Sequence, residues 1–232
     1  MPGRGAIITT ATLRFFRELK RNNRKDWMDA NREKYRSDVV ETFRALLAAL
    51  APHVVQLHPG IDTSGRTGVN LSRINRDIRF ARDKTPYHPH MYLTFPDPGA
   101  AENATTQLYV GISAEAVTAG FRAYAMGPAK KSPMRQIVLP RVVANPNWVA
   151  EQKKRLGRRY ECYWYSTEKG EWTKHPGWPL SPSEWERLQG WVVRRKLPQS
   201  AATRPKFVTD ICHVFGDLYP LFSFVSSTSW KA

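Results

Sequence analysis

The stretch LYVGISAEAVTAGFRAY, residues Leu108–Tyr124, reads as two strands, Leu108–Ile112 and Val117–Tyr124, joined by the short turn Ser113–Ala116. Short runs of β-branched and aromatic residues flanking a tight polar connection pair as a hairpin. The two runs are therefore expected to form a hairpin in an antiparallel sheet. Gly120, inside the second run, marks a bulge or a point where backbone or ligand comes close.

The chain before this hairpin opens with helices. The spacing predicts a helix over Thr12–Arg21, capped by Thr10 or Thr12, with Leu13, Phe16 and Leu19 on one side. Asn22 and Asn23 interrupt it. Trp27, Asn31, Tyr35, Val39, Phe43, Leu46 and Leu50 then recur every three or four residues, which predicts one long helix from Lys25 to Leu50 with Pro52 at its end. A turn-rich stretch, Pro59–Gly68, leads into NLSRINRDIRFARDKTPYHPHMYLTF, residues Asn70–Phe95. Its first part alternates as a strand does, with Ile74, Arg76 and Ile78 on one side and Asn75, Asp77 and Arg79 on the other. Met91–Phe95 reads as a further strand. Beyond the hairpin, helices are expected over Met134–Ala144, Trp148–Leu156, Ser183–Gln189 and Lys206–Phe215, the last running on towards Tyr219. A strand pair is expected around Cys162–Tyr165. The class is α+β: N-terminal helices packed on a mostly antiparallel sheet, with additional C-terminal helices. Residues 1–11 read as a flexible leader and 12–232 as a single domain.

Charge is the strongest global feature. There are 36 Lys+Arg against 20 Asp+Glu, a formal net charge of +16, and the pI is near 10.1. Such a field attracts polyanions and speeds their capture. Nucleic acid is the expected partner class, because each phosphate contact releases counterions; plain solubility is the competing explanation. The chain is 41% hydrophobic with 8 Trp, enough for a core and against wholesale disorder. Cys162 and Cys212 are too few for a disulfide framework or a cysteine-rich zinc site. No run reaches the ~18 apolar residues of a membrane helix, and MPGRGAIITTATLRFF lacks the apolar stretch of a signal peptide. A cytoplasmic protein without a membrane partner is the expectation. Walker, GxGxxG, GxSxG and zinc-finger spacings do not occur.

The segment from Arg73 to His90 is the candidate for chemistry. On a strand, Arg73, Asn75, Asp77 and Arg79 would point together into a cleft and clamp a phosphate or carboxylate by bidentate guanidinium contacts. Arg73, Arg76, Arg79, Lys84 and Tyr87 are the candidate substrate-binding residues. Asp77 and His90 are the candidate proton-transfer groups. The competing reading is a set of structural ion pairs. A metal site is not expected: His88 and His90 lack a convincing third ligand, since nothing in the spacing of Asp77, Asp83 or His53 selects one. The residues name no cofactor.

The motif Arg76-Asp77-x-Arg79-Phe80-x-x-Asp83-Lys84-Thr85-Pro86-Tyr87-x-x-His90 resembles the signature of the uncharacterised family catalogued as domain of unknown function 2461. The opening Phe15-Phe16-x-x-Leu19-x-x-Asn22-Asn23-x-x-x-Trp27 is similar to that family's start, and the resemblance extends over about residues 12–225. It implies a domain boundary and a mixed α+β fold, and no reaction. His88 stands where the family commonly has a basic residue.

The positive charge is gathered. Lys130, Lys131, Arg135, Lys153, Lys154, Arg155, Arg158 and Arg159 fall in a stretch whose only acid is Glu151, with Tyr160, Tyr163, Trp164 and Tyr165 just after. Trp191 beside Arg194, Arg195 and Lys196 repeats the combination. Cations beside exposed aromatics suit phosphate tracking with base stacking; a solvated helix face with core aromatics is the alternative. Three functions follow as expectations. The first is binding of nucleic acid or another polyanion. The second is an enzyme acting on a phosphorylated or carboxylated substrate in a cleft lined by Arg73–His90. The third is a structural or partner-binding role.

Overall fold

Six strands carry the sheet of the computed structural model, which describes residues 5–100, 104–125, 133–168 and 170–226. They are β1 (His90–Pro96), β2 (Ala104–Ser113), β3 (Val117–Ala125), β4 (Glu161–Glu168), β5 (Glu171–Pro176) and β6 (Gly190–Leu197). Their order is β1-β2-β3-β6-β4-β5. The α+β class read from the hairpin is the one observed, and β2 and β3 are that hairpin. Its turn is closed by Ser113, whose Oγ accepts from the amides of Glu115 at 3.1 Å and Ala116 at 3.0 Å. A serine hydroxyl that satisfies nearby amides stabilises such a turn. The chain divides into two compact units: residues up to 95 with 109–119 and 197–213, and residues 96–108 with 120–196 and 214 onward.

In the first unit, α1 (Thr10–Arg21) is capped by Thr9, whose side chain accepts from the Thr12 amide. Of the two expected caps, Thr10 is the first helical residue, and Thr12 is fully buried, its Oγ1 donating to the Asp38 carbonyl at 2.6 Å. That bond bears on the second helix. The predicted continuous helix is α2 (Lys25–Ala30), a break at Asn31, α3 (Arg32–Lys34), a π-helical turn over Tyr35–Val40, and α4 (Glu41–Leu57). A side chain that takes up a ladder carbonyl, as Thr12 does, favours the widened turn. Pro52 lies inside α4 and does not end it. The buried stripe Leu46, Leu47, Leu50 and Val54 continues across the proline and offsets its missing amide donor. His58, in extended backbone, is where the helix stops.

Residues 62–72 are tied to β1 by Asn70, which is fully buried. Its Nδ2 donates to the carbonyls of Asp62 at 2.7 Å and Thr94 at 3.1 Å, and its Oδ1 accepts from the Gly65 amide at 2.9 Å. Residues 73–79 form no strand, contrary to the alternation. Asn75 makes one isolated antiparallel bridge, to Tyr87. Pro86 and Pro89 have no amide to donate to a ladder, so pairing does not propagate.

In the second unit, β4 and β5 form a hairpin, and β4 also pairs with β6. One face of these strands is core: Trp164, Trp185, Trp191 and Phe121 are each no more than 2% exposed. The Phe121, Trp185 and Trp178 rings meet Trp191 edge to face at 5.4–5.7 Å, a favoured aromatic geometry. Trp191 is therefore core and not part of an exposed basic–aromatic surface. β6 and α8 (Gln199–Ala202) have no counterpart in the sequence reading. Around the strands lie α5 (Pro133–Ala144), α6 (Trp148–Leu156), α7 (Pro182–Glu186) and the second half of α9 (Phe207–Val225). α7 starts on a capping box between Ser181 and Glu184. Arg141 of α5 donates to the carbonyls of Phe224 and Ser226, each at 2.7 Å. It thus neutralises the negative end of α9. No helix among the described residues is long and apolar enough to cross a membrane.

Candidate functional site

The Arg73–His90 segment is a clasped loop. Asn23 grips the backbone of Tyr87 from both sides: its Nδ2 donates to the Tyr87 carbonyl at 2.8 Å, and its Oδ1 accepts from the Tyr87 amide at 3.0 Å. Tyr87 is itself buried. Arg76 runs under the loop, donating to Asp83 Oδ2 at 2.6 Å, to the Thr85 carbonyl at 3.0 Å and to the Thr85 hydroxyl. Asp83 accepts the Thr85 amide at 2.9 Å. Lys84 donates back to the carbonyls of Ile78 and Arg79.

Arg73, Asn75, Asp77 and Arg79 are all exposed, so the alternation in exposure is real although the ladder is absent. Asp77 is engaged by Arg79 in a fork, Nε to Oδ1 at 3.0 Å and Nη2 to Oδ2 at 2.7 Å. That contact holds the Asp77 carboxyl below its usual range, which makes it a weak proton acceptor. His90 sits with its ring 4.9 Å from that of His88 and 5.1 Å from that of Tyr92. Burial, and then Arg76, lower the His88 pKa. No group of three or more potential metal ligands occurs among the described residues. At the loop tip Phe80 is 95% exposed, beside the Arg79 guanidinium.

The clasp has a pH signature. The Thr85 amide and hydroxyl, with Arg76, lower Asp83, and Ser64 with Arg66 draws Asp62 down to about 2. A carboxyl depressed in the folded state stabilises fully above its ordinary value of 3.8. That stabilisation is lost as pH falls through the folded value. Asp83→Asn is therefore expected to lower Tm at pH 5, with the difference from wild type shrinking towards pH 2. Thermal melts across that range check it, and a constant difference would contradict it.

The second candidate region is the cationic end of α6. Arg155 and Arg159 are both drawn to Asp217, Arg155 donating to its carbonyl and Arg159 lying 3.9 Å from its Oδ2. The Tyr160 hydroxyl donates to the same carboxylate at 2.6 Å, and burial raises its pKa. Lys153, Lys154 and Arg158 make no ion pair among the described residues. They line one hollow of about 530 Å³ with Trp178, Leu180 and Gly157. Gly157, at φ 57, turns the chain sharply after the helix. Arg135 is half-buried on α5, and Lys130 and Lys131 lie outside the described residues. Tyr160 and Trp164 are buried, whereas Tyr163 and Tyr165 are half-buried. The sequence reading missed Trp178 and Leu180. Their only signal was the proline-rich loop through Pro176, Pro179 and Pro182, which carries them.

An α+β fold with a clasped Arg-Asp loop, and a hollow lined by basic and apolar residues, defines a structural class and no reaction. The chain belongs to the family described as conserved hypothetical protein, domain of unknown function 2461 (DUF2461), which matches over residues 11–224. No curated protein matches the chain.

Proposed function

We propose that this protein binds nucleic acid or a similar polyanion, and that the end of α6 supplies the principal contacts. The supporting observation is the hollow of about 530 Å³ that Lys153, Lys154 and Arg158 line together with Trp178 and Leu180. The excess of 36 basic over 20 acidic side chains surrounds it with a favourable field. Cations not occupied by carboxylates are free to release counterions on meeting phosphate. Arg155 and Arg159, tied to Asp217, contribute less.

The Arg73–His90 motif is best read as a clasp that holds its loop, because Arg76, Asp77, Asp83 and Lys84 engage one another and the local backbone. The binding reading is tested by fluorescence anisotropy with labelled single- and double-stranded oligonucleotides at low salt. The triple variant Lys153→Ala, Lys154→Ala, Arg158→Ala is expected to bind about 10²-fold more weakly than wild type, since each lost phosphate contact lowers the salt slope by about one. Unchanged affinity would remove α6 from the interface.

A further inference from the structure

The second unit carries a face opposite its tryptophan core that neither the α6 hollow nor the clasp uses. Register puts Tyr165 beside Lys174, Thr167 beside Trp172, and Glu161 beside Arg194. Residues opposed in an antiparallel pair share a face, and side chains alternate along each strand. Tyr163, Tyr165, Trp172, Lys174 and Arg194 therefore lie together. Tyr124 of β3 joins them, its ring 5.9 Å from Tyr165 and 6.0 Å from Trp172. By the same alternation Arg122 and Lys196 fall on this face, where Glu161 is paired with Arg194, Nε to Oε2 at 3.0 Å.

A glycine keeps the surface low. A Cβ at Gly190 would lie 2.7 Å from the Tyr124 ring and 3.1 Å from that of Tyr165, so both rings lie along the backbone and do not stand away from it. The cations are drawn to ring faces: Lys174 Nζ is 3.9 Å from the Tyr163 centroid, and the Arg194 guanidinium carbon is 5.2 Å from it. Trp172 is 41% exposed.

We propose that this face is a stacking platform for single-stranded nucleic acid. The inference rests on the polyanion reading above and specifies the state of the strand. The partly exposed Trp172 ring accepts an unpaired base, whose face is available only when the strand is single, and the adjoining Lys174 and Arg122 meet its phosphates. A duplex keeps its bases stacked inside and offers this surface phosphate alone. An acidic protein segment would satisfy the cations and leave the rings unused.

The test is anisotropy with an oligo(dT) of about 15 nucleotides, the matching duplex and polyglutamate as competitor, across a salt series. Wild type is expected to prefer the single strand by about tenfold. Trp172→Ala, at an exposed position, lowers single-strand affinity by about tenfold, leaves duplex binding unchanged, and leaves the slope of log K against log salt unchanged because no charge is lost. Trp172→Phe restores most of the affinity. Circular dichroism establishes that both variants are folded. Equal affinity for single strand and duplex, wild-type binding by Trp172→Ala, or polyglutamate competing as well as oligo(dT) would overturn the platform while leaving α6 binding intact. If the wild type binds no nucleic acid at low salt, both readings fall.

Discussion

Asn70→Ala is expected to cost about 4 kcal/mol of stability. The side chain is fully buried and uses both amide hydrogens and its oxygen, on Asp62, Thr94 and Gly65. Alanine leaves two carbonyls and one amide without these partners. A buried group left unsatisfied costs about 1–3 kcal/mol, and water entering the small void offsets part of the sum. Urea denaturation should show a lower midpoint with an unchanged slope. A loss below about 1 kcal/mol would mean that Asn70 does not hold residues 62–72 against β1.

Gly120→Ala is expected to destabilise by about 3 kcal/mol, although replacing glycine within a strand ordinarily helps. A Cβ at this position would stand 2.5 Å from the Val193 carbonyl oxygen and 2.8 Å from the Arg194 Cα. Both are backbone atoms of β6 and cannot rotate aside, so the strands must separate, an overpacking cost of about 1–3 kcal/mol before any lost hydrogen bonds. Gly216→Ala is the control. Gly216 is exposed within α9, and a Cβ there meets nothing within 4 Å. Alanine should stabilise that helix by about 0.5–1 kcal/mol. Denaturation of both variants gives opposite signs if the close approach at Gly120 governs.

The same close approach was legible in the sequence as a glycine inside a strand pattern, but its partner was not. β6 begins with Gly190 and runs into Arg194, Arg195 and Lys196, so its short apolar stretch was overshadowed by charge. α1, the hairpin and α6 were legible because periodicity and turn chemistry are local. The π-helical turn in the second helix was not, because Thr12 reaches Asp38 from 26 positions away. Alternation over Arg73–Arg79, read as a strand edge lining a cleft, is matched only by alternating exposure; exposure alternates in any extended segment, and a strand also needs a partner. Charge clustering around α6 was visible too. Which cations remain available was not, since Asp217, 62 positions beyond Arg155, engages two of the arginines.

Polyanion binding makes one quantitative demand that folding and the clasp do not. The most direct measurement is the wild-type affinity for oligonucleotide from about 20 to 200 mM salt. With Lys153, Lys154 and Arg158 each meeting a phosphate, log K should fall linearly with log salt at a slope of about −2 or steeper. A flat line, or no binding to DNA or RNA at the lowest salt, would contradict the account.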